Sequence, residues 1–438
     1  MSGTMPLIRH SAPTRRSFLI GLGAGSLATA GLSRRAAAAG ATDVLKVGFI
    51  SPRTGALAGF GHTDGHILDV ARKALASGLK IGEKTYQVEL LDRDSQSDPS
   101  RASQLAKSLI GNDKIDLMLA VSTPEVINPV ADVCEAAAIP CLSTVMPWEA
   151  WYFGRGAKPG QPSPFKWTYH FGFGMEQFFH AYASQWSLIA TNKRVGVLYP
   201  NDADGNAFRG NLIPLLTKQG FTVIDAGPYE NGVADYSAQI ALFKKEQCEI
   251  FNTAPLPPDF TSFWRQAAQQ GFTRKVKICQ SSKTGLFPDS IEVLGKLGYN
   301  VSSAAYWHKA FPYTSPVTGL SSAELAEGYE AASGKQWTQQ LGASLALIDA
   351  GVAALRASAT PTDKAAVAAA LAGLNTMTVA GKVDFTSGPV PNVAATPVVG
   401  TQWVRAPEGS KFKLDYVVTE NAGDPNVPIG GPLRDYNS

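Results

Sequence analysis

From Val44 onward, short β-branched runs alternate with helical patterns about a dozen residues long, and that alternation restricts the chain to parallel α/β layers. The first strand is VLKVGFIS, Val44–Ser51, followed by the turn PRTGALAGFG and a helix with Ile67, Val70, Ala71 and Leu75 on one face. QVELLD leads through RDSQSDPS to the helix RASQLAKSLIG, which Gly111 closes. IDLMLAV then meets STPE, where Ser122 or Thr123 is the expected cap, Pro124 suits the first turn and Glu125 has capping-box spacing from Ser122. PCLST is the fourth strand.

The texture changes between Trp148 and Phe179, which are dense in aromatic residues, glycine and proline, so a boundary is expected there. A second α/β series follows: RVGVLYP, TVIDAG, EIFNTA and KVKICQ are its strands. After the irregular YWHKAFPYTSP, three Ala-rich helices are expected near 321–333, 338–358 and 362–373. The reading is two similar parallel-sheet lobes and not one long sheet, with 42–166 and 308–395 in the first lobe and 167–307 and 396–438 in the second.

The N-terminal segment, 1–41, reads as an address. Thr14-Arg15-Arg16-Ser17-Phe18-Leu19 ends a basic region, the apolar run Phe18–Leu32 is shorter than the roughly 20 residues a span needs, and small residues from Ala36 to Ala41 suit cleavage. Gly21, Gly23 and Gly25 lack the preceding strand that a phosphate loop requires. The segment resembles a twin-arginine export signal, which implies a periplasmic location. Its five arginines account for the basic charge: without them the formal +3 becomes −2. No later Lys/Arg cluster suggests nucleic acid or a membrane surface as a partner.

Catalytic signatures are missing: there is no G-x-S-x-G elbow, phosphate loop, H-E-x-x-H helix or Cys-His nucleophile pattern, so no enzyme and no cofactor is expected. His62, Asp64 and His66 in HTDGH have a spacing that could gather a metal, but a solvated helix start explains them better, and no metal is expected. NDADGN lacks a calcium loop's first and last ligands, with Pro200 and Asn211 in those places. Cys134, Cys141, Cys248 and Cys279 lie in apolar runs and read as buried thiols, with a Cys134–Cys141 disulfide as the alternative in an exported protein.

In open α/β sheets, ligands collect outside the carboxyl ends of strands, against helix N-termini. The first lobe offers there Phe60, Ser122 with Thr123, and Ser143 with Thr144, Met146 and Trp148. The second offers Asp202 to Asp204, Pro255 to Asp259, and Ser281-Ser282-Lys283. A cleft between facing loops is the expected small-molecule site.

KVGFISPRTGALAGFG, DSQSDPSRASQLAKSLI, IDLMLAVSTPEVINPVADVCEAAAIPCLST, YSAQIALFKKEQCEIF and FWRQAAQQGF, in that order, carry a resemblance over nearly the whole chain after the signal. The chain is similar to the periplasmic substrate-binding proteins of ATP-driven importers, of the leucine/isoleucine/valine-binding type. The resemblance implies two lobes joined by three crossing strands, a ligand held between them, and permease and ATPase subunits as partners of a monomer. It places an amino acid's carboxylate at Ser122 and Ser143–Met146. Where the family holds the ammonium with an acid, this chain has Ser282 beside Lys283; where it has a tyrosine in the second-lobe turn, this chain has Asp204. Lys283 is expected as a rim cation and Trp148 as a flat wall, which points to an apolar or aromatic carboxylic acid. A hydrophobic amino acid, with Asp204 as the ammonium partner, is the alternative. A sensory receptor of the same architecture is the runner-up to transport.

Overall fold

The computed structural model describes residues 43–438, so the expected export signal lies outside the described residues. In chain order the strands are β1 Val44–Ser51, β2 Leu79–Ile81, β3 Lys84–Asp94, β4 Leu117–Val121, β5 Cys141–Thr144, β6 Thr168–Gly172, β7 Arg194–Leu198 and β8 Thr222–Asp225. They continue with β9 Ile250–Thr253, β10 Ile278–Ser281, β11 Val301–Ala305, β12 Asn375–Thr378, β13 Gly381–Asp384, β14 Val393–Ala395, β15 Val399–Arg405 and β16 Leu414–Glu420. The first sheet runs β14-β6-β5-β4-β1-β3-β2 and the second β16-β15-β11-β10-β9-β7-β8, while β12 and β13 form a separate ribbon.

Pairing is parallel through the interior of both sheets, with antiparallel strands at the margins: β2 on β3, and β15 between β11 and β16. Every residue of β4, β5 and β9 is buried, as expected of strands covered by helices on both faces. The chain passes between the sheets three times: after β6, after β11, and between β14 and β15. The fold is therefore two α/β lobes with three crossings.

One boundary is corrected. The sequence reading begins the second lobe at 167, yet β6 pairs with β5 from Cys141↔Thr168 and with β14 from Val393↔His170. The Glu135 carboxylate fixes its start by accepting the backbone N–H groups of Lys166, Trp167 and Thr168.

The three late helices form at Ser322–Ser333, Gln340–Ala357 and Lys364–Ala372. Ser321 and Glu324 make a reciprocal capping box on the first of them. Gln340–Ala357 has the length and hydropathy of a membrane span, but 83% of that window is buried, and it packs on β4 and β5. Its apolar character all round is that of a core helix. All four cysteines are free and buried, in keeping with the packing reading and not with the disulfide alternative.

Candidate functional site

The site lies where strand ends of the two sheets face each other. From the first lobe, the turn after β4 brings Thr123, N-terminal to the helix Pro124–Ala136, and the turn after β5 brings Val145. Ser122 has φ +134° and Val145 φ +81°, conformations that non-glycine residues rarely adopt and that concentrate at ligand sites. The backbone therefore turns sharply at two neighbouring strand ends. From the second lobe come Asp204, in the short helix Ala203–Ala207 after β7, and Ser282 and Lys283 after β10.

Thr123 is the N-cap residue, but its side chain makes no capping bond; Ser122 Oγ and Thr123 Oγ1 are buried without any partner. The expected capping box is corrected accordingly: Glu125 does not reach back, and its Oε2 is likewise unpartnered. Opposite, Lys283 Nζ lies 2.9 Å from Asp204 Oδ2 and 3.3 Å from Asp202 Oδ2. Burial alone would lower the Lys283 pKa, but attraction from Asp204, then Asp202 and Glu125, outweighs it and raises it, so the ammonium stays charged. Burial raises the Asp204 carboxyl while Lys283 draws it back; with a charged lysine at 2.9 Å, the pair is ionic. Asp204 Oδ1 has no partner. Three carboxylates around one ammonium leave the cleft electronegative.

The walls are apolar and aromatic: Phe60, Phe173, Phe178, Phe208, Leu286 and Tyr306. Phe173 stacks on Tyr306 with centroids 5.2 Å apart. Phe60 meets Phe287 of the other lobe edge to face at 4.9 Å. The space enclosed is only about 30 Å³, less than a solute of amino-acid size fills.

Of the residues expected from sequence, Phe60, Thr123, Asp204 and Lys283 line this cleft, and Ser122 adjoins it. Thr144 lies beside it, against Phe173 and Tyr306. The others are corrected. Ser143 Oγ turns into the sheet, 2.9 Å from His170 Nδ1 and 3.2 Å from the Tyr169 carbonyl, because alternate strand residues face opposite sides. The Met146 side chain is buried in the core, and its carbonyl receives His170 Nε2 at 3.0 Å. Trp148 packs on Phe153 and against Gly174 and is not among the residues lining the cleft. Lys283 is not a rim cation: it is 6% exposed and shared between two aspartates.

The aromatic residues Phe173, Phe178, Phe208 and Tyr306 went unread. Phe173 and Phe178 lie in the aromatic-dense FGFGMEQFF and Tyr306 opens YWHKAFPYTSP, while Phe208 carries no such local signal. The HTDGH residues diverge: His62 Nδ1 meets the Gly59 carbonyl at 3.1 Å, Asp64 accepts from Ser344 Oγ at 2.6 Å, and His66 packs on Tyr329. No group of metal-ligating side chains occurs among the described residues.

Two α/β lobes with an apolar cleft at facing strand ends define a bilobal binding protein. The family model described as periplasmic binding protein matches residues 44–406, and the chain belongs to that family. Among solved structures, a leucine-binding protein, LivK, of Thermotoga maritima is 20% identical, covering 87% of this chain and 100% of that one at a TM-score of 0.67. The branched-chain amino-acid substrate-binding protein LivJ of Streptococcus pneumoniae, in complex with isoleucine, is 14% identical over 86% of this chain and 100% of that one, with a TM-score of 0.64. A solute-binding protein of Rhodopseudomonas palustris in complex with 4-hydroxybenzoate is 18% identical over 86% and 96%, with a TM-score of 0.66. An uncharacterised protein of Methanocaldococcus jannaschii is 25% identical over 202 residues, spanning 44% of this chain and 45% of that protein. This chain thus spans about half the length of the curated relative it matches.

Proposed function

We propose that this protein is an exported receptor that closes on an apolar amino acid and delivers it to the permease and ATPase subunits of an ATP-driven importer. The observation that carries the reading is the pairing of unmatched polar groups across an apolar cleft. Ser122 and Thr123 hydroxyls at a helix N-terminus suit a carboxylate; Asp204 Oδ1 and Glu125 Oε2 suit an ammonium. Phe60, Phe178 and Phe208 then cover an apolar side chain. The relatives named with leucine and isoleucine support the same class. Nothing in this arrangement calls for catalysis, since capture needs only contacts from both lobes that favour the closed form.

A second reading, an aromatic carboxylate, is favoured by the aromatic walls and by the relative bound to 4-hydroxybenzoate. It leaves Asp204 Oδ1 and Glu125 Oε2 unmatched, with Lys283, among the described residues, the one cation beside three carboxylates.

A thermal-shift series on the ligand-free protein separates the two, because a ligand specific to the folded state raises stability by about 2.7 kcal/mol at 100 times its dissociation constant. Stabilisation by leucine, isoleucine or phenylalanine, and none by 4-methylpentanoate, supports the amino-acid reading. Stabilisation by 4-hydroxybenzoate alone replaces it with the second, and chemical turnover of the solute overturns both. Export by the twin-arginine route has its own check: Arg15→Lys with Arg16→Lys leaves folded precursor in the cytoplasm, whereas normal export of that variant overturns the route.

A further inference from the structure

Four of the rings that line the cleft form one continuous row. Tyr306 stacks on Phe173, Phe173 meets Phe178 with centroids 4.8 Å apart, and Phe178 meets Phe208 at 5.4 Å. The row belongs to the second lobe and to two of the crossings: Phe178 lies on the helix Met175–Trp186, which packs on β15 and β16, Phe208 follows the short helix after β7, and Phe173 and Tyr306 follow β6 and β11. A fifth ring, Phe60, lines the same cleft from the first lobe, in the segment after β1. Among the described residues its one ring partner is Phe287, and it touches no ring of the row. The polar groups of the cleft are segregated from these rings. Among the described lining residues, the polar atoms left without a partner are Thr123 Oγ1 and Asp204 Oδ1, while Ser282 Oγ is bonded to Tyr182 Oη at 2.8 Å and Tyr306 Oη accepts from Gln340 Nε2. The aromatic end of the cleft therefore has no unmatched donor or acceptor.

We infer, on the reading of the cleft as a site for an apolar amino acid, that the ligand's side chain ends in an aromatic hydrocarbon ring, as in phenylalanine. Such a ring enters between Phe60 and the row as the two lobes part, and it completes an aromatic series that is interrupted at the lobe boundary. Aromatic rings pair face to face with an offset or edge to face, and one such pair adds about fivefold in affinity beyond what the apolar area alone supplies. An aliphatic side chain fills the same space without that gain. The ring end offers nothing to a polar tip, because a buried polar group without a partner is penalised.

The test is titration calorimetry of the ligand-free protein with L-phenylalanine, L-cyclohexylalanine, L-leucine and 3-phenylpropanoate. Cyclohexylalanine keeps the six-membered ring but has no aromatic face, so phenylalanine binds about fivefold tighter than cyclohexylalanine, and tighter than leucine. Phe208→Leu brings the phenylalanine-to-cyclohexylalanine ratio to within about twofold. Should that variant fail to fold, Phe60→Leu, in a turn outside both sheets, gives the same reading from the other lobe. Cyclohexylalanine or leucine binding as tightly as phenylalanine overturns the aromatic class alone, as do unchanged ratios in both variants. If 3-phenylpropanoate binds as tightly as phenylalanine, or if none of the amino acids binds, the amino-acid reading of the cleft falls and the aromatic amino acid falls with it.

Discussion

Lys283 Nζ stands 2.9 Å from Asp204 Oδ2, and both side chains are almost fully buried at the floor of the cleft, so the second lobe brings its own counter-ion to its own acid. The lysine is a structural partner for two aspartates before it is anything to a ligand. Removing one member of a buried ion pair costs about 3–5 kcal/mol because the remaining charge is stranded. Lys283→Met strands two carboxylates, and urea unfolding is expected to show a loss in that range. The double variant Lys283→Met with Asp204→Asn recovers part of it, since one stranded charge is removed. A loss under about 1 kcal/mol in the single variant would show that water already solvates the pair.

Thr123 tests the other side of the cleft. Its Oγ1 is buried without a partner, so in Thr123→Val the unliganded fold loses no hydrogen bond and its stability holds or rises slightly. Affinity for a carboxylate ligand falls about tenfold if the hydroxyl donates to it. Calorimetry on the variant, beside its melting temperature, separates the two effects. An unchanged affinity removes Thr123 from the site.

The alternation of strands and helices was legible because it is local: β-branched runs, helix-ending glycines and first-turn prolines each act within a few residues. Those cues mark β1, β3, β4, β5, β7, β8, β9, β10 and the three late helices, but neither β2 nor β6. β6 falls on the wrong side of the expected boundary because the aromatic run between it and β5 offers no local sign of which sheet the chain rejoins, and its other neighbour β14 lies more than two hundred residues away. Ser143 failed for a different reason. In a strand buried on both faces, the apolar pattern does not say which way each residue points. The role of Lys283 depended on Asp202 and Asp204, about eighty residues away, and no spacing rule reveals such an ion pair.

Two glycines make a matched pair of stability tests. A Cβ on Gly342 would lie 2.0 Å from Trp307 Cγ, and Trp307 cannot swing aside because its Nε1 donates to Ser322 Oγ at 3.1 Å and to the Val379 carbonyl at 3.2 Å. Gly342→Ala is expected to destabilise by about 3 kcal/mol or more through overpacking. Gly328, in the helix Ser322–Ser333, would place its Cβ in open space, so Gly328→Ala gains about 0.5–1 kcal/mol from helix propensity. Equal effects in chemical unfolding would contradict the packing drawn around Trp307.

Asp64 gives the fold a pH dependence of definite sign. It is fully buried; Oδ1 accepts from Ser344 Oγ at 2.6 Å and Oδ2 has no partner. Burial pushes its carboxyl up to about 7 from 3.8, with the Ser344 and Ser51 hydroxyls and Arg53 opposing and Asp92 adding to the rise. Between those values the folded state holds a proton that the unfolded chain has released, so stability falls as pH rises from about 4 towards 7 and levels off above. Glu149, also raised to about 7 by burial, and Asp349, raised to about 6, add the same sign. Asp92 and Asp94 have lowered pKa values and contribute stability that is lost as pH falls. A comparison with Asp64→Asn isolates one group from the rest. The unaltered protein is expected to lose more melting temperature between about pH 4 and about pH 7 than Asp64→Asn does, because the amide keeps the shape of the protonated acid without its titration. Parallel pH profiles for the two proteins would mean that Asp64 ionises alike in the folded and unfolded states.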